Sequence, residues 1–118
     1  MKSNVEYELD FDLREEIREI KNLISKHIIN SEVYLFGSVS KGQYSKNSDI
    51  DILVLIDDEK SLRELRNLRH FLEDEIECLR LNREVDIKLY TKNRFLDISS
   101  HPSFEQAILK DLVDIRSW

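Results

Sequence analysis

The run Asp49-Ile50-Asp51-Ile52-Leu53-Val54-Leu55-Ile56 limits most strongly what this chain can fold into. It is short, branched and apolar, and it follows a loop rich in Ser, Asn and Lys, so it reads as a buried strand. Side chains alternate faces along a strand. Ile50, Ile52, Val54 and Ile56 therefore share one face, and Asp49, Asp51, Leu53 and Leu55 the other. The two aspartates point the same way, at the rim of a face that turns apolar beyond them. The loop that feeds them starts at Phe36 and contains both glycines of the chain, Gly37 and Gly42. A glycine- and hydroxyl-rich loop running into paired carboxylates suggests phosphate and a divalent metal ion.

The rest of the chain reads as elements packed around this strand. Leu13, Ile17, Ile20, Ile24 and Ile28 recur at helical spacing and predict a helix over 12–29, opened by an Asp12-x-x-Glu15 capping box. Asn30-Ser31 interrupts it, and Val33 to Phe36 reads as a strand. A helical turn is expected from Ser38. Leu65, Leu68, Leu72, Ile76 and Leu79 predict a helix over 61–80, with Ser61 and Glu64 as a second capping box. Glu84 to Tyr90 alternates as a third strand, with Val85, Ile87 and Leu89 on one face and Asp86, Lys88 and Tyr90 on the other. Arg94 to Ile98 is expected to form a helical turn. Ser103 should cap a helix through Lys110 with Phe104, Ile108 and Leu109 inward, before an edge strand over 112–115. The expectation is one α/β (α+β) domain over 1–118: a mixed β-sheet of about four strands flanked by helices, with no second domain.

Composition narrows the partners. The formal net charge is −6, which disfavours duplex nucleic acid, since phosphate binding needs clustered Lys and Arg. One cysteine, Cys78, excludes an intrachain disulfide and fits a reducing compartment; it reads as a semi-buried helix thiol. The N-terminus lacks the apolar core of a signal peptide, and no apolar run has the length of a membrane span. A soluble cytoplasmic protein is expected. His27 and His101 lack ligand-spaced partners. Arg63-x6-His70 matches the loose spacing of HEPN ribonucleases, but with Arg66 and Arg69 it reads as a solvated helix face.

The chemistry follows from residue types. Magnesium takes oxygen ligands, often one or two carboxylates plus substrate phosphates. Asp49 and Asp51 offer two carboxylates from one strand face, and Asp86 a third from another strand; Asp86 alone also fits a structural role. Two metal ions held this way suit in-line displacement at phosphorus. Gly37 permits a sharp exit from the preceding strand. Gly42 either clears space for phosphate or serves a turn. Backbone amides from Ser38 onward form an anion site, and the Ser38 and Ser48 hydroxyls are candidate donors to phosphate oxygens.

Gly37-Ser38, ten residues, then Asp49-Ile50-Asp51 resembles the signature of the DNA polymerase β-type nucleotidyltransferase superfamily. Val85-Asp86-Ile87 resembles that superfamily's third-acid strand, and the size resembles its minimal nucleotidyltransferases. The resemblance spans roughly 12–115. It implies that Gly37 and Ser38 hold the β- and γ-phosphates of a nucleoside triphosphate. It further implies that Asp49 and Asp51 bind magnesium, and that Asp86 completes the metal site and helps deprotonate an attacking hydroxyl. Relatives often carry a glycine near the position of Asp111, where this chain departs from them. Larger relatives grip the acceptor with a second domain, so here a dimer mate or a separate protein is expected to position it. Minimal relatives imply an antitoxin role beside a HEPN-domain toxin, with AMP moved from ATP onto a toxin tyrosine. The alternatives are nucleotidyl transfer to a small hydroxyl compound such as an aminoglycoside, or a binding module that neutralises its partner without catalysis.

Overall fold

The computed structural model describes residues 9–118. Helix α1 (Phe11–His27) buries Leu13, Ile17, Ile20 and Ile24 on one face, as its spacing requires. Its start differs from the expected capping box. Asp10 is the cap residue, without a side-chain cap bond, and Asp12 already lies in the first turn. There its charge meets the positive end of the helix dipole instead. The helix exit uses Asn30 in the left-handed region, φ 64°, and the Ser31 hydroxyl donates to the Ile28 carbonyl at 3.0 Å.

Strand β1 (Ser31–Phe36) leads into the single turn α2 (Gly37–Ser40), then strand β2 (Ile50–Ile56). Helix α3 (Leu62–Glu77) connects β2 to the parallel strand β3 (Val85–Thr91), the crossover that parallel pairing demands. Its capping box forms as expected: Ser61 Oγ accepts from the Glu64 amide, and Glu64 Oε1 from the Ser61 amide, both at 3.1 Å. Helices α4 (Lys92–Ser99) and α5 (Phe104–Ile108) follow, then a 3-10 turn (Leu109–Asp111) and strand β4 (Val113–Asp114). The Thr91 hydroxyl caps α4, which starts two residues before the helical turn expected over Arg94 to Ile98; Ser103 caps α5 as expected.

The sheet order is β3-β2-β1-β4, with β1 antiparallel to both β2 and β4. This is the expected four-stranded mixed sheet. Its two faces carry two separate apolar clusters, divided by the predicted alternation. Ile50, Ile52, Val54 and Ile56 pack with Ile17, Ile20 and Ile24 of α1 and Leu72 of α3. Leu53 and Leu55 pack with Tyr34, Phe36, Phe95, Ile108 and Leu112 on the other face. Burying each Leu, Ile or Phe contributes about 1.5–3 kcal/mol before conformational entropy is set against it.

Two local expectations are corrected. Phe104 and Leu109 are 49% and 39% exposed, because α5 is short and turns only Ile108 into the core. Cys78 is exposed, at the C-terminal cap of α3. At Asp111 no glycine is needed, since its φ is not among the positive ones of the described residues. No helix among the described residues is long and apolar enough to cross a membrane.

Candidate active site

The register of the sheet assembles the site. Phe36 of β1 stands opposite Asp51 of β2, and Asp51 opposite Asp86 of β3. The chain must then leave β1 without covering Asp51. Gly37 does this with φ 76°, and a Cβ on it would lie 2.1 Å from Asp51 Oδ2 and 3.0 Å from its Cγ. No other residue type leaves room for that carboxylate. Glycine here meets two demands at once, a left-handed backbone and a close approach.

Asp51 is half-buried, and its pKa is pushed up to about 6. Burial is the largest cause, followed by the charges of Asp86 and then Asp49; Lys88 opposes them. Lys88 Nζ stands 3.7 Å from Asp86 Oδ2, so an ammonium already lies beside the acidic pair. A cleft of about 590 Å³ opens here, lined by Phe36, Gly37, Asp51, Asp86 and Lys88. Phe104, Glu105, Ile108 and Asp111 of the C-terminal segment also line it. The volume lies within the roughly 300–1,000 Å³ common for small-molecule sites. Tyr90 lines it too; its hydroxyl donates to Glu105 Oε2 at 2.6 Å, and burial, followed by this bond, pushes the phenol pKa up.

Of the residues expected from sequence, Gly37, Asp51 and Asp86 line this cleft; Ser38, Gly42, Ser48 and Asp49 do not. Ser38 begins the turn right behind Gly37, and its carbonyl accepts from the amides of Lys41 and Gln43. Gly42 has φ 71°, and a Cβ there would meet nothing within 4 Å. Its glycine thus answers a backbone need of the turn rather than crowding by the protein. The Ser48 hydroxyl is used inside the loop, accepting from the Ser45 amide at 2.8 Å. Asp49 is exposed, one residue before β2 begins, and reaches Asp51 through its charge. Among the described residues, no three His, Cys, Asp or Glu side chains are gathered into a group that would hold an ion as they stand.

Two basic residues had no distinctive signal in the sequence. Arg83, in the connector between α3 and β3, donates from one guanidinium nitrogen to the carbonyls of Ser45 and Ser48, at 2.7 and 2.8 Å. It also stacks 5.5 Å above the Tyr44 ring. It pins the loop that delivers Asp49 from a point 38 residues further along the chain. Lys41 lines the cleft and pairs with the buried Asp111 at 3.4 Å. Neither contact follows any periodicity, so only tertiary structure reveals them.

The arrangement places two facing carboxylates beside a gap that only glycine leaves open. They are hard oxygen donors whose mutual charge is already costly, which is the chemistry that suits a divalent cation next to phosphate. Known proteins resemble this chain over most of its length. The nucleotidyltransferase domain family matches residues 13–115. The Methanocaldococcus jannaschii protein MJ0435, provisionally named a protein adenylyltransferase, is 34% identical over 98 residues, covering 83% of this chain and 91% of its own. A second protein of that organism and that provisional name, MJ0126, is 31% identical over 105 residues, covering 85% of this chain and 95% of its own.

Proposed function

The chain belongs to the nucleotidyltransferase domain family and is a nucleotidyltransferase; from that premise we propose that it transfers AMP from ATP to a hydroxyl of a partner protein. The observation that carries this reading is the facing pair Asp51 and Asp86 against Gly37, with Asp51 held well above its ordinary pKa. The names of the two relatives support a protein as acceptor. The motif resemblance supports a tyrosine of a HEPN-domain toxin, with this chain as its antitoxin.

In this reading Gly37 and Ser38 receive the β- and γ-phosphates where β1 turns into α2. Asp49, Asp51 and Asp86 would hold magnesium, two ions in the complete site. When bound, magnesium supplies the positive charge that lets a triphosphate approach three carboxylates. Lys88 keeps Asp86 partly neutralised until then. Asp86 accepts the proton of the acceptor hydroxyl. The hydroxyl oxygen bonds to the α-phosphorus, the bond to the β-phosphate oxygen breaks, and pyrophosphate leaves. Gly42 and Ser48 support the loop that brings Asp49 to Asp51.

The test is incubation of the protein with α-labelled ATP, magnesium and candidate acceptors, with Asp49→Ala/Asp51→Ala as control. Label on a partner protein, lost in the control, is the expected result. Label on a small hydroxyl compound instead would move the acceptor to that class. Neutralisation of a toxin by the double variant, with no label anywhere, would make the protein a binding module and overturn the proposal.

A further inference from the structure

A second cleft, of about 410 Å³, adjoins the first, and Tyr90 and Glu105 line both. Three arginines meet in it. Arg66 and Arg69 come from α3, and Arg94 comes from α4. The spacing of α3 alone made its arginines look like a solvated helix face, and the fold brings Arg94 up against them. Glu105 is the one carboxylate lining this cleft, and its Oε2 already accepts the Tyr90 hydroxyl. Arg66 and Arg94 carry no side-chain hydrogen bond or ion pair among the described residues. Arg69 Nε makes no hydrogen bond and forms only a long ion pair with Glu73 Oε1, at 4.0 Å, on a side chain that is 41% exposed. In a protein of net charge −6, three converging guanidiniums form a local exception.

We propose that the Arg66–Arg69–Arg94 cleft is the docking subsite for an acidic peptide segment of the acceptor protein. The inference rests on the protein-adenylylation reading and deepens it. Guanidinium forks match carboxylates in paired hydrogen bonds, and the exposed Leu62 at the cleft edge offers apolar contact to a peptide stem. A peptide held there and crossing the Tyr90–Glu105 wall enters the first cleft on the Asp86 side. That path supplies an acceptor hydroxyl from outside the nucleotide site.

The probe is a random glutamate–tyrosine copolymer, with binding read by fluorescence anisotropy at low salt. The wild-type chain is expected to bind it, more weakly as salt rises, and R66Q/R69Q/R94Q to bind about tenfold less tightly or worse. The single reversal Arg66→Glu, at an exposed position, checks the same point should the triple variant fold poorly. Equal binding by wild type and variants, or none by wild type, overturns the docking cleft. Tighter binding of a single-stranded oligonucleotide through the same arginines also overturns it, in favour of a nucleic-acid occupant. The magnesium–ATP melting shift, measured in parallel, should be the same in wild type and variants. Its absence from both sinks the nucleotide-site reading, whereas copolymer binding that does not depend on the arginines sinks the docking cleft alone.

Discussion

Asp51→Asn separates charge from shape at the centre of the site. The wild-type carboxyl is held at about 6 against an ordinary 3.8, so the folded state keeps its proton to higher pH than the unfolded state does. Between those values the folded state binds more protons, and stability therefore falls as pH rises. The penalty is absent below about pH 4 and complete above about pH 6 to 7. The full rise is equivalent to about 3 kcal/mol. Solvent screening at a half-buried site reduces that to about 1–2 kcal/mol. Asparagine keeps the shape and carries no charge. The metal-free variant should therefore be more stable than wild type by about 1–2 kcal/mol at pH 8, or about 4–8 °C in melting temperature. That difference should vanish near pH 4. The assay is thermal or urea unfolding in EDTA across pH 4 to 8. A difference that is constant with pH, or a variant less stable at pH 8, would refute the account of Asp51 as a strained acid.

The other predictions concern the groups around it. Gly37→Ala should destabilise by about 2–4 kcal/mol, from the left-handed backbone and the clash with Asp51 together. In urea titrations part of that cost should disappear in an Asp51→Ala background, and a fully additive pair would contradict the clash. Magnesium with ATP should stabilise wild type by about 2.7 kcal/mol at one hundred times the dissociation constant, and Asp51→Asn should lose most of this response. Melting curves indifferent to both ligands up to millimolar concentrations would count against the metal-site reading. Arg83→Met removes the two bonds to the loop carbonyls. It should weaken magnesium–ATP binding about tenfold with a far smaller change in melting temperature, and Arg83→Lys should recover part of the loss. An unchanged affinity would show that the loop holds Asp49 without the clamp.

Much of this was written along the chain because the signals are local. Helix α1 and strand β2 are amphipathic at their own periods, so their core faces could be named residue by residue. The Asp51 face was legible for the same reason, since alternation alone puts Asp51, Leu53 and Leu55 together. Ser61 with Glu64 formed its capping box because both partners lie within one turn. Asp12 with Glu15 had the same spacing and did not, since the helix begins before Asp12. A spacing rule carries no information about where the first turn starts.

What the sequence by itself determined is the strand alternation, the glycine before the loop, and the acids worth naming. Each depends on neighbours within a few residues. Tertiary structure decided the rest. It set Asp86 against Asp51, an outcome of strand register across a helical crossover. It turned Phe104 toward the cleft, placed Arg83 under the loop, and gathered Arg66, Arg69 and Arg94 from two helices. Those contacts depend on how packed layers meet, and a one-residue slip of register would turn Asp86 to the opposite face of the sheet.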